Sequence, residues 1–306
     1  MAKLLSLLSF LFGILSPLVT QAECAADRVR LQVLGSGGPE MDDQRASSGY
    51  LIWIDDQARV LIDAGPGSSI NFERAGARIE DLRAIVFTHL HVDHSGAFPA
   101  LIKASFFTPR SDDLPVFGPA ANELMPSTTR FVETLVGDSG AFRYLSDYLD
   151  QDSAARYHIR ARDVDPGRDG MERITVDDSL QLSAVAVHHG PVAALAWRVD
   201  ALDCSITFSG DMSNRYQSLA GLASGSDILV AHNVIPEGAG GAARNLHMPP
   251  SEIGKIARQA GIGQLVLSHR MQRTLGKEQE TRSQIHKHWC GPLDFADDLS
   301  EYRIGQ

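Results

Sequence analysis

The stretch "AIVFTHLHVDHSGAF", residues 84–98, sets an apolar run directly before three histidines and an aspartate confined to six positions, His89 to His94. An apolar quartet followed by titratable side chains reads as a buried strand that ends in a loop. Loops at strand ends are where a rigid scaffold lets side chains converge. Neutral imidazoles and a carboxylate in one tight turn match the donor preferences of a divalent cation such as zinc. With an extended backbone His89 and His91 point the same way, and Asp93 and His94 fall on the other side of the turn. One loop then serves two metals. The alternative is a polar turn with solvated histidines, and the density of the motif speaks against it.

Outward from this stretch, short β-rich runs recur with glycine punctuation: "RLQVLGSGG", "GYLIWID" and "RVLIDAG" before it, then "LQLSAVAVHHG", "LAWRVD", "SITFSGD", "DILVAH" and "QLVLSH". Helical patterns lie between them. "PPSEIGKIARQAGI" puts Ile253, Ile256 and Ala257 on one face, with a start at Pro250 or Ser251. Two strand-rich halves with helices predict an α/β chain of two packed sheets with helices outside. Residues 105–173, with "FFTPRSDDLPVFGP" and "FRYLSDYLDQD", have weak periodicity and read as an insertion within a single domain spanning 23–306. No internal repeat and no linker is legible.

The N-terminal "MAKLLSLLSFLFGILSPLVTQAECA" has one lysine, an apolar run broken by Gly13 and Pro17, and then small residues. That is the layout of a signal peptide, residues 1–22, with Thr20 and Ala22 before the cut. The apolar run is shorter than the roughly 20 residues of a spanning helix, so no stable membrane anchor is expected after cleavage. Glu23 before Cys24 argues against a lipoprotein. The expected location is periplasmic or secreted. The chain has 306 residues and a formal net charge of −10, and the leader removes only Lys3. Without a run of lysine and arginine, such a surface repels phosphate backbones, so nucleic acid is disfavoured as a partner. A homodimer is compatible with the sequence. Of the three cysteines, Cys24 and Cys290 are the pair expected to tie the chain ends together, and Cys204 reads as a buried free thiol.

HxHxDH after an apolar strand resembles the metallo-β-lactamase fold superfamily of hydrolases, whose further ligands arrive as histidine, aspartate and histidine at later strand ends. "AVAVHHGP" offers His188 or His189, "ITFSGDM" offers Asp211 and "QLVLSHR" offers His269, so the resemblance spans residues 31–270. It implies a four-layer αββα sandwich of two mixed β-sheets. Carried over, His89, His91 and His189 hold one metal, Asp93, His94 and His269 hold the other, and Asp211 bridges them. His189 is preferred to His188 because similar family members read "HGPVPALAY" where this chain has "HGPVAALAW". The resemblance implies two divalent metal ions, zinc first, with manganese or iron also accepted at an oxygen-rich site. They would share a hydroxide and stabilise an oxyanion. Asp63 of "LIDAG" would brace the histidine loop. Gly35, Gly37 and Gly38 read as a tight turn beside the site. His158, His286 and His288 read as surface or packing residues.

Within that superfamily the chain looks most like the branch of tRNA 3′-processing ribonucleases, arylsulfatase-like enzymes and cyclic-nucleotide phosphodiesterases. The likeness makes His247 a catalytic proton donor to the leaving group, beside Asp93, and places His232 behind the ligands. The processing ribonucleases have glutamate where this chain has Asn233. Leader, charge and Asn233 together favour an exported hydrolase of a small anionic ester, a phosphodiester or aryl sulfate or phosphate. The alternatives are a lactonase of small signalling molecules, a tRNA 3′-processing-type ribonuclease, and a metal-binding protein without turnover.

Overall fold

The computed structural model describes residues 24–304, so the leader expected at 1–22 lies outside the described residues. Six strands open the chain: β1 (Val29–Gly35), β2 (Gly49–Ile54), β3 (Gln57–Ile62), β4 (Ala84–Val86), β5 (Leu114–Pro119) and β6 (Ile159–Val164). The next seven are β7 (Glu172–Asp177), β8 (Leu180–His189), β9 (Val192–Ala201), β10 (Cys204–Phe208), β11 (Ile228–His232), β12 (Gln264–Ser268) and β13 (Leu293–Phe295). A last strand, β14 (Glu301–Arg303), returns to the edge beside β1. The result is two seven-stranded mixed sheets, ordered β14-β1-β2-β3-β4-β5-β6 and β13-β12-β11-β10-β9-β8-β7.

The two sheets repeat one scheme. β1 to β3 pair antiparallel and β3 to β6 parallel. β8 to β10 pair antiparallel and β10 to β13 parallel. No repeat is legible in the sequence, yet the topology duplicates. In parallel stretches the strands end together, and the crevice beyond their carboxyl ends is where such sheets bind ligands. β3, β4, β10, β11 and β12 all deliver loops to that edge.

Among the described residues eight α-helices complete the layers: α1 (Ser68–Arg74), α2 (Val92–Ser95), α3 (Phe98–Ser105), α4 (Thr128–Val136), α5 (Leu219–Leu222), α6 (Gly241–Leu246), α7 (Pro250–Ala260) and α8 (Glu278–His286). Between the sheets a central core holds Val33, Tyr50, Ile62, Val86, Trp197, Phe208 and Val230. A second cluster packs Phe72, Phe98, Ile102 and Val132 of α1, α3 and α4 on the outer face of the first sheet. A third packs Leu219, Ile253, Ile256, Ala257 and Ile285 of α5, α7 and α8 on the second. This is the expected αββα order. α7 carries the expected face, starts with proline in its first turn and ends at Gly261, whose φ of 63° is the left-handed cap glycine tolerates.

Residues 105–173 are integral to the fold. They supply β5, β6 and α4, so the segment builds the edge of the first sheet and part of its outer core. Its weak periodicity has a local cause: β5 reads "LPVFGP", with prolines and a glycine breaking the strand signature. Among the described residues no helix is long and apolar enough to cross a membrane.

The cysteine pairing differs from the expected one. Cys24 is bonded to Cys204 across 180 positions, and Cys290 is free and exposed. Cys204 opens β10 facing the central core, where Cys24 and Ala26 pack, and Ala25 N donates to Leu202 O at 3.2 Å. The N-terminal segment therefore lies along the β9–β10 turn, while Cys290 follows α8 on the outer layer. Closing so long a loop restricts the unfolded chain, so Cys24→Ser should lower unfolding stability by about 2–5 kcal/mol. Urea unfolding of oxidised and variant protein measures this, and coincident midpoints would refute it.

Candidate metal centre

Two inter-sheet hydrogen bonds fix where the histidine loop begins. Trp197 Nε1 donates to Phe87 O at 2.9 Å, and Leu195 N donates to Thr88 O at 2.8 Å. Asp63, fully buried after β3, then braces the loop. Its carboxylate accepts from Thr88 N at 2.7 Å, Thr88 Oγ1 at 2.8 Å and His94 Nδ1 at 2.7 Å. Asp63 holds φ 56° and His269 φ 51°, left-handed conformations that cost energy in residues with a Cβ. A side chain at Gly38 would meet His269 Cε1 at 2.6 Å, so the "LGSGGP" turn is glycine where it backs onto that imidazole.

The hydrogen bonds also fix tautomers. Thr88 Oγ1, whose proton goes to Asp63, accepts from His89 Nδ1 at 3.1 Å. His94 Nδ1 donates to Asp63, and His189 Nδ1 donates to Leu246 O at 3.0 Å. Each ring, in its neutral form, is thus left with its Nε2 lone pair facing the crevice. His94 Nε2, His189 Nε2, His247 Nδ1 and both His269 nitrogens are buried without a protein partner. Buried polar atoms are rarely left so. His89 Nε2 and His91 Nδ1 approach to 3.0 Å, and a shared cation satisfies two facing nitrogens of this kind.

His89, His91 and His189 form one group that could hold a metal; His94, Asp211, His232 and His269 form another; and His189, Asp211 and His247 form a third. Asp211 Oδ2 lies 3.8 Å from His94 Nε2, from His189 Nε2 and from His247 Nδ1, and Oδ1 lies 3.5 Å from His269 Nε2. Asp93 Oδ2 is 3.3 Å from His269 Nε2 and 3.6 Å from His94 Nε2. Every residue expected at the site converges here, with Asp211 at the centre. His188 does not converge: its Nδ1 meets Ser213 Oγ at 2.7 Å. His158 lies beside Asp113 and Ser153, and His286 is exposed at the end of α8.

His232 donates through Nδ1 to Asp211 Oδ1 at 2.7 Å, and its Nε2 lies 2.9 Å from Tyr50 Oη, itself 3.0 Å from Ser268 Oγ. This support was only partly legible. Tyr50 sits inside "GYLIWID" as an ordinary buried strand residue, and nothing in the sequence marks its register with His232. Asn233 is fully buried with both amide atoms unpartnered.

Burial would raise the Asp93 carboxyl, but the His94 and His269 imidazoles draw it down to about 2. Burial would also raise Asp211, and its ring of histidines holds it well below the carboxylate range. Burial would lower His94, yet the charges of Asp63 and Asp93 and the bond to Asp63 lift it to about 9. His89 and His91 are pushed down by burial, opposed only in part by Asp211 and Asp93. Burial takes His232 to about 4 against its bond to Asp211, and His247 to about 3 against the pull of the same carboxylate.

The sequence matches the metallo-beta-lactamase superfamily over residues 42–253. The chain belongs to the metallo-beta-lactamase superfamily. It is a metal-dependent hydrolase. This superfamily member is 26% identical over 290 residues to ribonuclease Z of Mycolicibacterium paratuberculosis, covering 90% of the chain and 98% of that protein. Its fold is similar to the metallo-beta-lactamase fold protein YhfI from Bacillus subtilis, with TM-score 0.70, 21% identity and coverage of 90% and 99%. It is also similar to human tRNase Z, short form, with TM-score 0.67, 16% identity and coverage of 90% and 100%.

The two metal groups should fill at different pH. Burial pushes His89 and His91 toward the neutral form, whereas His94 keeps its proton up to about 9 in the metal-free protein. A cation at the His94 group must displace that proton, so its affinity rises with pH up to that value. Metal content of chelator-treated, reloaded protein should climb from about one to about two ions per chain between pH 6 and 9. Calorimetry in buffers of different ionisation heat should show proton release only for the weaker step. A single pH-independent stoichiometry would refute this.

Proposed function

We propose that this hydrolase cleaves phosphodiesters with two divalent metal ions, zinc first, held by His89, His91 and His189 on one side and Asp93, His94 and His269 on the other. Asp211 lies between the two groups. The observation that carries the reading is the set of buried imidazole lone pairs aimed at one carboxylate with no protein partner. Bound there, such ions supply Lewis acidity and a water nucleophile usable near neutral pH. Asp63, Thr88 and Leu246 O hold the rings in the tautomer that presents Nε2. Tyr50 and His232 fix the Asp211 carboxylate.

We assign His247 to the leaving group, because its Nδ1 is buried without a protein partner 3.8 Å from Asp211 Oδ2. Its depressed basicity makes it neutral in the resting site at pH 7. An arriving anionic phosphodiester favours the imidazolium, so the ring can take a proton from solvent as the substrate binds and pass it to the departing oxygen.

A ribonuclease of the tRNA 3′-processing type is the second reading, and one observation favours it over a small ester. The likeness to ribonuclease Z runs over 90% of this chain and 98% of that relative. The net charge of −10 and the neutral Asn233 favour the small phosphodiester. We also propose export: the layout of Met1–Ala22 supports it, as does a Cys24–Cys204 bond of the kind oxidising compartments sustain.

Metal-loaded protein assayed on a nitrophenyl phosphodiester, a nucleoside-leaving diester and a 3′-extended tRNA, each with a chelator control, tests the reading. Two bound metals with no turnover on any of them would overturn it, and cleavage confined to the tRNA would select the ribonuclease. His247→Ala should slow the nucleoside-leaving diester by about 10²–10⁴-fold while sparing the nitrophenyl ester, whose leaving group needs no proton. Metal content should stay at the wild-type value. Equal losses on both substrates would remove the proton-donor role.

A further inference from the structure

Beside the metal centre lies a separate polar cavity of 490 Å³, lined by Ser213, Asn214, Arg215, Arg244, Asn245 and Glu252 among others. Two chain segments build it, and both also carry residues of the centre. Ser213 to Arg215 begin two residues after Asp211, and Arg244 and Asn245 in α6 run into His247. Arg244 Nη1 donates to Ser213 O at 3.1 Å and to His247 O at 3.4 Å, so its guanidinium sits where these segments meet. Arg215 Nη1 donates to His188 Nε2 at 3.3 Å, on the side of β8 where Ser213 Oγ also meets that ring.

Neither guanidinium is neutralised. Among the described residues, no carboxylate lies within ion-pair distance of Arg215 or Arg244, whereas Arg30, Arg45, Arg160 and Arg270 all have one. The acid in the cavity, Glu252, is engaged by other neighbours: Oε1 accepts from Asn214 Nδ2 at 2.9 Å and Oε2 from Lys255 Nζ at 3.4 Å. Asn214 is held in the left-handed region, φ 61°, which turns its amide to that carboxylate. On a chain of net charge −10, two free guanidinium groups sharing one polar cavity at the rim of a hydrolytic centre form a local anion site.

We infer that Arg215 and Arg244 form a subsite for a second phosphate group, next to the phosphodiester being cleaved. The inference rests on the phosphodiesterase reading and adds to it a substrate with at least two phosphates in series. A guanidinium fork recognises phosphate oxygens in pairs, and placing two forks beyond Asp211 and His247 selects substrates that extend past the scissile bond. An oligonucleotide and a dinucleoside pyrophosphate both present such a group.

The test uses the metal-loaded full chain and two fluorescent probes, a phosphorothioate-linked oligothymidylate that resists cleavage and a dinucleoside pyrophosphate. Anisotropy titrations over a salt series should show Arg215→Gln/Arg244→Gln binding at least one probe about tenfold more weakly, with the salt slope reduced by about 0.7 for each arginine lost from a single strand. Loss confined to the oligothymidylate identifies a nucleotide chain, and loss confined to the pyrophosphate identifies the small ligand. The Arg215→Lys/Arg244→Lys protein should keep the salt slope and recover part of the affinity lost in the glutamine protein, because it keeps the charge and loses the fork. The preference of kcat/KM for a two-phosphate over a one-phosphate diester should fall about tenfold in the glutamine protein, which is the cost of one bidentate contact. Unchanged affinity and slope would overturn the subsite. So would equal loss in the lysine protein, which would mark a structural role for Arg244 under His247. Arg215→Gln alone decides the matter if the double variant folds poorly, since Arg215 bonds no backbone group. If no phosphodiester is turned over while probe binding still depends on the arginines, the phosphodiesterase reading fails and the anion subsite stands.

Discussion

The Asp211 carboxylate is buried at the edge of two sheets with imidazoles from four different chain segments aimed at it. An isolated carboxylate in such a place would take up a proton rather than remain charged. Here His232 donates to one oxygen, and the surrounding histidines hold the group ionised. The histidines in turn cannot all be protonated, because burial drives His89, His232 and His247 down. His94 is lifted instead, so part of the compensating charge in the metal-free protein is its imidazolium, which divalent cations bound by neutral nitrogens would replace. The strain at Asp63 and His269 belongs to the same constraint, since both residues turn a side chain back toward one point beyond the strand ends.

That convergence depends on the duplicated sheet scheme. β3 leads to Asp63 and β10 to Asp211, while β4 leads to His89 and β11 ends on His232. Corresponding strands of the two sheets bring a carboxylate and a histidine to the same edge. The first half contributes the dense loop and its brace. The second contributes the central carboxylate and the dispersed histidines. Trp197 and Leu195 lock the halves together at Phe87 and Thr88, directly before the loop, so an error in sheet packing would be felt at the site first.

How much of this was legible follows from what each feature depends on. Strands β1 to β4 and β8 to β12 were readable because apolar runs with glycine boundaries are local signals. β5 and β13 were not, since prolines interrupt the first and only three residues make the second. The site residues were legible because each stands at the end of a recognisable strand, and the family resemblance supplied their order. Tyr50 was invisible, because its role comes from the register between two sheets. The disulfide was misread for the same reason: Cys24 meets Cys204 through tertiary packing of the N-terminal segment on the β9–β10 turn, which spacing does not encode.

The charge of the whole chain and the charge at the rim pull in opposite directions, and the balance bears on what can enter. A net charge of −10 repels a long polyanion at a distance comparable to the Debye length, about 8 Å in physiological salt. Inside that distance local groups dominate, and Arg215 and Arg244 line one polar cavity built by the segments that carry Asp211 and His247. A short phosphodiester reaches these groups while keeping little charge against the rest of the surface. A tRNA would have to lay many phosphates along it, and no run of lysine and arginine offsets them. The electrostatics thus favour compact substrates with a few phosphates, even though the chain-length likeness to ribonuclease Z favours RNA. On the proposed reading, charge near the centre selects phosphate as a group. Away from it, charge limits how much of a polymer can follow.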